Sequence, residues 1–219
     1  MDTQRLTRFL SALKRNNKKA WFDTHRDEYE ALRAEFLELV EWVILRVGAF
    51  DPAVQALSPK ECVYRINRDV RFSKEKKPYK TNFAATIAPG GRNSGAPSYH
   101  FSLEDDGSLM VAGGLYMITP QQLEKMRRAI ARDPKPLRGI LKSPAFKRTY
   151  GDLNDEDALS RPPRGYAADH PAVDLLKLRR FVAWTFFESG EMKGDLSGFV
   201  ARHLKTLAPL IAYEREAVK

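Results

Sequence analysis

The chain has 219 residues, 43% of them hydrophobic, and a formal net charge of +9. That apolar content is enough for a real core and excludes global disorder, while the single cysteine, Cys62, excludes an intramolecular disulfide and a cysteine-rich zinc site. No apolar run approaches the roughly 18–20 residues of a membrane helix, and the start MDTQRLTRFL lacks the apolar run of a signal peptide.

These bounds lead to the expectation of one soluble domain over residues 1–219, without membrane association and cytoplasmic by default. The positive charge suits a polyanionic partner through electrostatic attraction and counterion release. It suits a merely solvated basic surface equally well.

In chain order, Leu6, Phe9, Leu10 and Leu13 form a helical stripe, interrupted at Asn16-Asn17. From about Asp23 a longer helical pattern runs through Tyr29, Leu32, Phe36, Leu37, Val40, Val43, Ile44 and Val47, with Gly48 as its stop. Residues 51–59 read as a loop. Residues 62–66 alternate and predict a strand, with Cys62 as a small core residue within it. Residues 83–88 predict a second strand, and the Gly-rich residues 89–95 a connection.

Tyr99, Phe101 and Leu103 alternate with His100, Ser102 and Glu104, so His100 is expected on the opposite, exposed side of a strand. Asp105-Asp106-Gly107 marks a turn and residues 109–115 a returning strand. Thr119-Pro120 and Ser143-Pro144 are helix starts. Residues 152–171 read as an ordered loop and residues 180–187 as a strand. The last helix covers residues 196–213, with Pro209 as a kink or break. Helices before and after a run of strands predict an α+β fold, a mainly antiparallel sheet flanked by N-terminal and C-terminal helices.

The chemistry concentrates at residues 64–80, YRINRDVRFSKEKKPYK. Seven basic residues and two acids give this stretch a net +5, over half of the chain's charge. Aromatics Tyr64, Phe72 and Tyr79 are interleaved. Arginine forks at Arg65, Arg68 and Arg71 suit phosphate or carboxylate, lysines add point charge, and aromatics can stack on a base or sugar. The other reading is a solvated connection in which Asp69 pairs with an arginine.

The run RINRDVRFSKEKKPYKTN resembles the hallmark of the DUF2461 family, also described as TIGR02453 proteins. Asn16-Asn17-Lys18-Lys19-Ala20-Trp21-Phe22, with His25-Arg26 and Tyr29, resembles the family's N-terminal motif. Pro163-Arg164-Gly165-Tyr166, Asp169-His170-Pro171 and Asp174-Leu175-Leu176-Lys177 resemble its C-terminal motif, and Gly113-Gly114 followed by an aromatic and Pro120 also fits. The resemblance spans nearly the whole chain. It implies a single-domain bacterial type of protein and raises the expectation that the motifs form a site, without naming its chemistry.

Three readings of that site follow. In the first, an anionic ligand, nucleic acid included, is gripped by Arg65, Arg68 and Arg71, with Lys76, Lys80 and Arg26 adding charge, Tyr79 or Trp21 stacking, and Asp69 orienting the arginines. In the second, a hydrolase or transferase uses Asp69, His170 or His25 as acid or base. In the third, Arg65 and Arg68 are buried in an ion-pair scaffold. Asp169 is also expected to cap a helix with Pro171 in its first turn. None of the four histidines has metal-ligand spacing, no P-loop or G-x-G-x-x-G is present, Ser73-Lys74-Glu75-Lys76 matches S-x-x-K only at chance level, and no cofactor is indicated.

Overall fold

The computed structural model describes residues 1–71 and 76–219. Phe72, Lys74 and the S-x-x-K match beginning at Ser73 lie outside them, wholly or in part. The architecture is α+β, a four-stranded antiparallel sheet with helices before, between and after its strands.

Helix α1 (Thr3–Arg15) starts where the Asp2 carboxylate accepts from the Arg5 N–H, and it buries the expected stripe Leu6, Phe9, Leu10 and Leu13. The long helical pattern is divided. Helix α2 (Lys19–Thr24) ends at His25, whose non-helical backbone (φ −115°) then opens α3 (Arg26–Gly48).

The strand expected at residues 62–66 does not form. A short helix, α4 (Pro59–Cys62), occupies its start, because the Glu61 carboxylate accepts from both the N–H and the hydroxyl of Ser58. Beyond it the backbone makes only an isolated bridge from Val63 to Ala85. Cys62 is nevertheless fully buried, and burial pushes its thiol up to about 11.

Strands β1 (Asn82–Ile87), β2 (Ser98–Glu104), β3 (Leu109–Leu115) and β4 (Phe181–Phe187) lie side by side in chain order. Between β3 and β4 the chain makes α5 (Pro120–Arg132), α6 (Lys135–Lys142), α7 (Pro144–Tyr150) and α8 (Val173–Leu176). The Thr119 and Ser143 starts form as expected, each hydroxyl accepting from a first-turn N–H. Among the described residues Asp169 caps no helix. The residue before α8 is Ala172, without a side-chain cap, and its N–H donates to His170 Nδ1 at 3.1 Å.

Helix α9 (Leu196–Ala217) continues through Pro209 without a break. Leu204, Leu207, Leu210 and Ile211, on both sides of the proline, are fully buried, and this packing outweighs one lost backbone bond.

Register determines the two faces of the sheet. One carries Phe83, Phe101, Tyr99, Val111 and Phe181, all buried. Phe36 of α3 packs edge-on against Phe83 and tilted against Phe101, with ring centroids 5.4 and 5.8 Å apart. Helix α9 comes so close to β3 that a Cβ on Gly113 would sit 2.9 Å from Leu207 Cδ1. The opposite face carries the row Thr86, His100, Ala112 and Trp184, one residue from each strand.

Candidate functional site

The basic segment folds back on itself beside β1. Arg68 N–H donates to Pro78 O and Lys80 N–H to Ile66 O, both at 2.8 Å, and Asn67 bridges Tyr79. This irregular pairing brings Arg65 and Lys80 together, with Lys80 Nζ donating to Arg65 O at 3.1 Å. The same ammonium lies 5.0 Å from the centre of the Tyr64 ring.

Partial burial and the nearby Arg65, Arg92 and Arg68 guanidiniums hold Lys80 below the usual lysine range. Arg65 is exposed, and its guanidinium makes no ion pair or hydrogen bond among the described residues. Arg71 instead pairs with Asp69 at 2.7 Å, which holds that carboxyl below the usual range. Lys76 Nζ donates to Val70 O within the same loop.

The N-terminal motif meets this segment through the core. Asn17 bonds the backbone of Tyr79 in both directions, each at 3.0 Å, and Phe22 stacks on the buried Tyr79 ring with centroids 4.1 Å apart. Trp21 and His25 stack at 3.9 Å, and His25 Nδ1 bonds Trp21 O. Arg26 pairs with Asp23 at 2.7 Å and its guanidinium lies over Phe22.

The C-terminal motif is held elsewhere. Arg138 of α6 donates to Asp174 and to Pro171 O, Arg127 of α5 donates to Leu176 O and Leu178 O, and Tyr166 packs edge-on to His170. Among the described residues, no hydrogen bond or ion pair joins this motif to residues 65–80. Neither His25 nor His170 is bonded to a carboxylate among them either.

A broad concavity lies on a sheet face where sequence reasoning placed no site. A groove of about 870 Å³ crosses the second face of the sheet. His100 faces it, as alternation requires, but is half-buried and not exposed as expected, with Thr86 of the neighbouring strand against its ring. Thr86 Oγ1 lies 2.8 Å from His100 Nδ1 and 3.1 Å from Tyr64 Oη, a continuous chain of three side chains. Burial pushes the imidazole down to about 4, so it is neutral at pH 7. Arg92, from the β1–β2 connection, lines the same groove. Its Nη1 donates to Lys60 O and Glu61 O, at 2.8 and 3.0 Å, while Nε and Nη2 have no partner among the described residues.

At the far side Arg180 pairs with Asp157 at 2.8 Å and lies over the Tyr116 ring. The period-2 pattern alone could have placed Thr86 and His100 on the open face. Nothing local signalled Arg92, Arg180 or Trp184 as their neighbours.

Among the described residues, no helix is long and apolar enough to cross a membrane, and no three His, Cys, Asp or Glu residues are grouped to hold a metal ion. The geometry defines an α+β protein whose antiparallel sheet is backed by helices on one face and hollowed on the other, with cations at one margin. The chain belongs to the DUF2461 family, described as "conserved hypothetical protein", whose model matches residues 5–213. No curated protein and no solved structure matches it.

Proposed function

We propose that this protein binds an anionic ligand at the margin of the groove, through Lys80, Arg65, Arg68 and Arg92. One observation carries the reading: the Lys80 ammonium, fixed by the Arg65 carbonyl at 3.1 Å and lying 5.0 Å from the Tyr64 ring centre, sits close enough to the Arg65, Arg92 and Arg68 guanidiniums to be held below its usual range. Like charges brought close repel one another, and a bound phosphate or carboxylate relieves that cost. The exposed Arg65 speaks against a buried ion-pair scaffold. An acid–base enzyme built on His25, His170 and Asp69 finds no support in the contacts of those residues.

The test is binding of inorganic phosphate, pyrophosphate and single-stranded oligonucleotides at low ionic strength. Lys80→Gln and Arg92→Gln should each weaken binding about tenfold, as expected for one charge-assisted hydrogen bond. A steep loss of oligonucleotide affinity with salt identifies a polymeric ligand. Undetectable binding of all three anions overturns the reading.

A further inference from the structure

We propose that the groove holds a small molecule with a flat, apolar, aromatic-sized body and one oxyanionic end, the body lying over Ala112 against the Trp184 ring and the anion at Arg92 and Lys80. This rests on the anion-binding reading above and states what the anion is attached to.

The composition of the face is the first support. An antiparallel sheet with one face on the core ordinarily turns polar residues to water on the other. Here the second face carries Ala84, Met110, Ala112, Val182, Trp184 and Phe186. Phe186 is 55% exposed, and the groove's loop wall adds Tyr116 and Met117, 57% and 79% exposed. Ala84, Ala112 and Val182 are buried, Met110 and Trp184 are half-buried, and Phe186, Tyr116 and Met117 are apolar surface that folding leaves in water.

The shape follows from side-chain size. The central strands present Ser98, Ala112 and Gly114 to the groove, while Tyr64 and Trp184 stand at its two sides. With His100 and Met110 from the same two strands, these small residues form the floor of a trough that Tyr64 and Trp184 also line. Its volume of about 870 Å³ falls in the range of small-molecule sites, about 300–1,000 Å³. Polar groups also converge inside it, as such sites require: Tyr64, Thr86, His100 and Ser98 all line the trough. His100 Nε2 has no partner among the described residues, so it offers a neutral hydrogen-bonding edge to a ligand.

Charge sets the ligand's direction. At the Trp184 side Arg180 is already paired with Asp157, and the exposed Glu156 lines the groove. An anion is disfavoured there. At the Tyr64 side Arg92 keeps Nε and Nη2 unpartnered and Lys80 lies over the Tyr64 ring.

The test uses the full chain and calorimetric titration with 1-naphthyl phosphate, 1-naphthoate, 1-naphthol and inorganic phosphate. An aromatic oxyanion should bind at least tenfold more tightly than naphthol or inorganic phosphate, and comparing naphthyl phosphate with naphthoate shows which oxyanion is preferred. Trp184→Ala should weaken the aromatic oxyanion about tenfold, the size of one ring-stacking contact, and leave inorganic phosphate unchanged. Ala112→Leu, which fills the trough and keeps the strand, should do the same; circular dichroism verifies that both variants fold. Arg92→Gln should weaken both ligands.

If inorganic phosphate binds but the aromatic oxyanions gain nothing over it, or are indifferent to Trp184→Ala and Ala112→Leu, the ring site is overturned and the anion site stands. If naphthol binds as tightly as naphthyl phosphate, the assigned anionic end is overturned. If no oxyanion binds at all, both readings fail together.

Discussion

The side-chain amide of Asn17 bonds both backbone groups of Tyr79: its Oδ1 accepts from the Tyr79 N–H and its Nδ2 donates to the Tyr79 carbonyl, each at 3.0 Å. It acts as a one-residue strand, tying the N-terminal motif to the base of the basic segment. Asn17→Ala leaves two backbone groups beside the buried Tyr79 ring without partners. We expect a loss of about 2–4 kcal/mol in urea denaturation. Asn17→Asp should recover little, because a carboxylate cannot donate to the carbonyl. A change below about 0.5 kcal/mol in Asn17→Ala would show that the pairing is not what anchors the segment.

His100 should make stability depend on pH. Its folded value of about 4 lies below the ordinary 6.5, so between these the unfolded chain binds the proton more readily. The neutral imidazole's contribution is full above pH 6.5 and is lost as pH falls toward 4, at up to about 1.4 kcal/mol per pH unit. The difference between wild type and His100→Gln, followed by urea denaturation across this window, isolates the slope. Parallel curves for the two proteins would count against a buried neutral imidazole.

Glu214 should show the opposite dependence. It is fully buried in α9, neither carboxylate oxygen has a partner among the described residues, and burial raises its carboxyl well above 4.5. A raised carboxyl favours folding while protonated and ceases to do so as pH rises through its folded value. Glu214→Leu should therefore stabilise the protein by about 1–3 kcal/mol at neutral pH, and less in acid. Destabilisation at neutral pH would reveal an unrecognised partner for the carboxylate.

Gly114 permits the β3–β4 pairing. Its φ is +121°, and a Cβ there would lie 2.1 Å from the Phe181 carbonyl oxygen. Gly114→Ala must strain the backbone and push β4 away, at a cost of about 3 kcal/mol or more. The check is the urea midpoint and the yield of soluble protein. Wild-type stability in this variant would mean that β3 and β4 separate without penalty.

Salt should stabilise the ligand-free protein through the Lys80 cluster. Repulsion from Arg65, Arg92 and Arg68 weakens as ionic strength rises, since added salt shortens the screening length. Melting curves from low to moderate sodium chloride should shift upward in wild type, and less in Lys80→Gln. Equal shifts in both would place the relieved repulsion elsewhere on this basic chain.

The residues by themselves determined what short-range energetics control. The stripe of α1, the starts at Thr119 and Ser143, the Asp105-Asp106-Gly107 turn and the bounds of β3 were all legible, because periodicity, caps and turn chemistry act within a few residues. The motifs carrying the family resemblance were legible for the same reason. Local cues also misled. Alternation suggested a strand at Cys62, where Ser58 and Glu61 begin a helix, and Pro209 suggested a break that packing on both sides prevents. Only the tertiary structure decided that Arg92 lies near Lys80, that His100 is half-buried, and that Tyr64 and Trp184 line one groove. Strand register brings Thr86, His100, Ala112 and Trp184 into one row, and loop contacts beside β1, not any local preference, add Tyr64, Lys80 and Arg92.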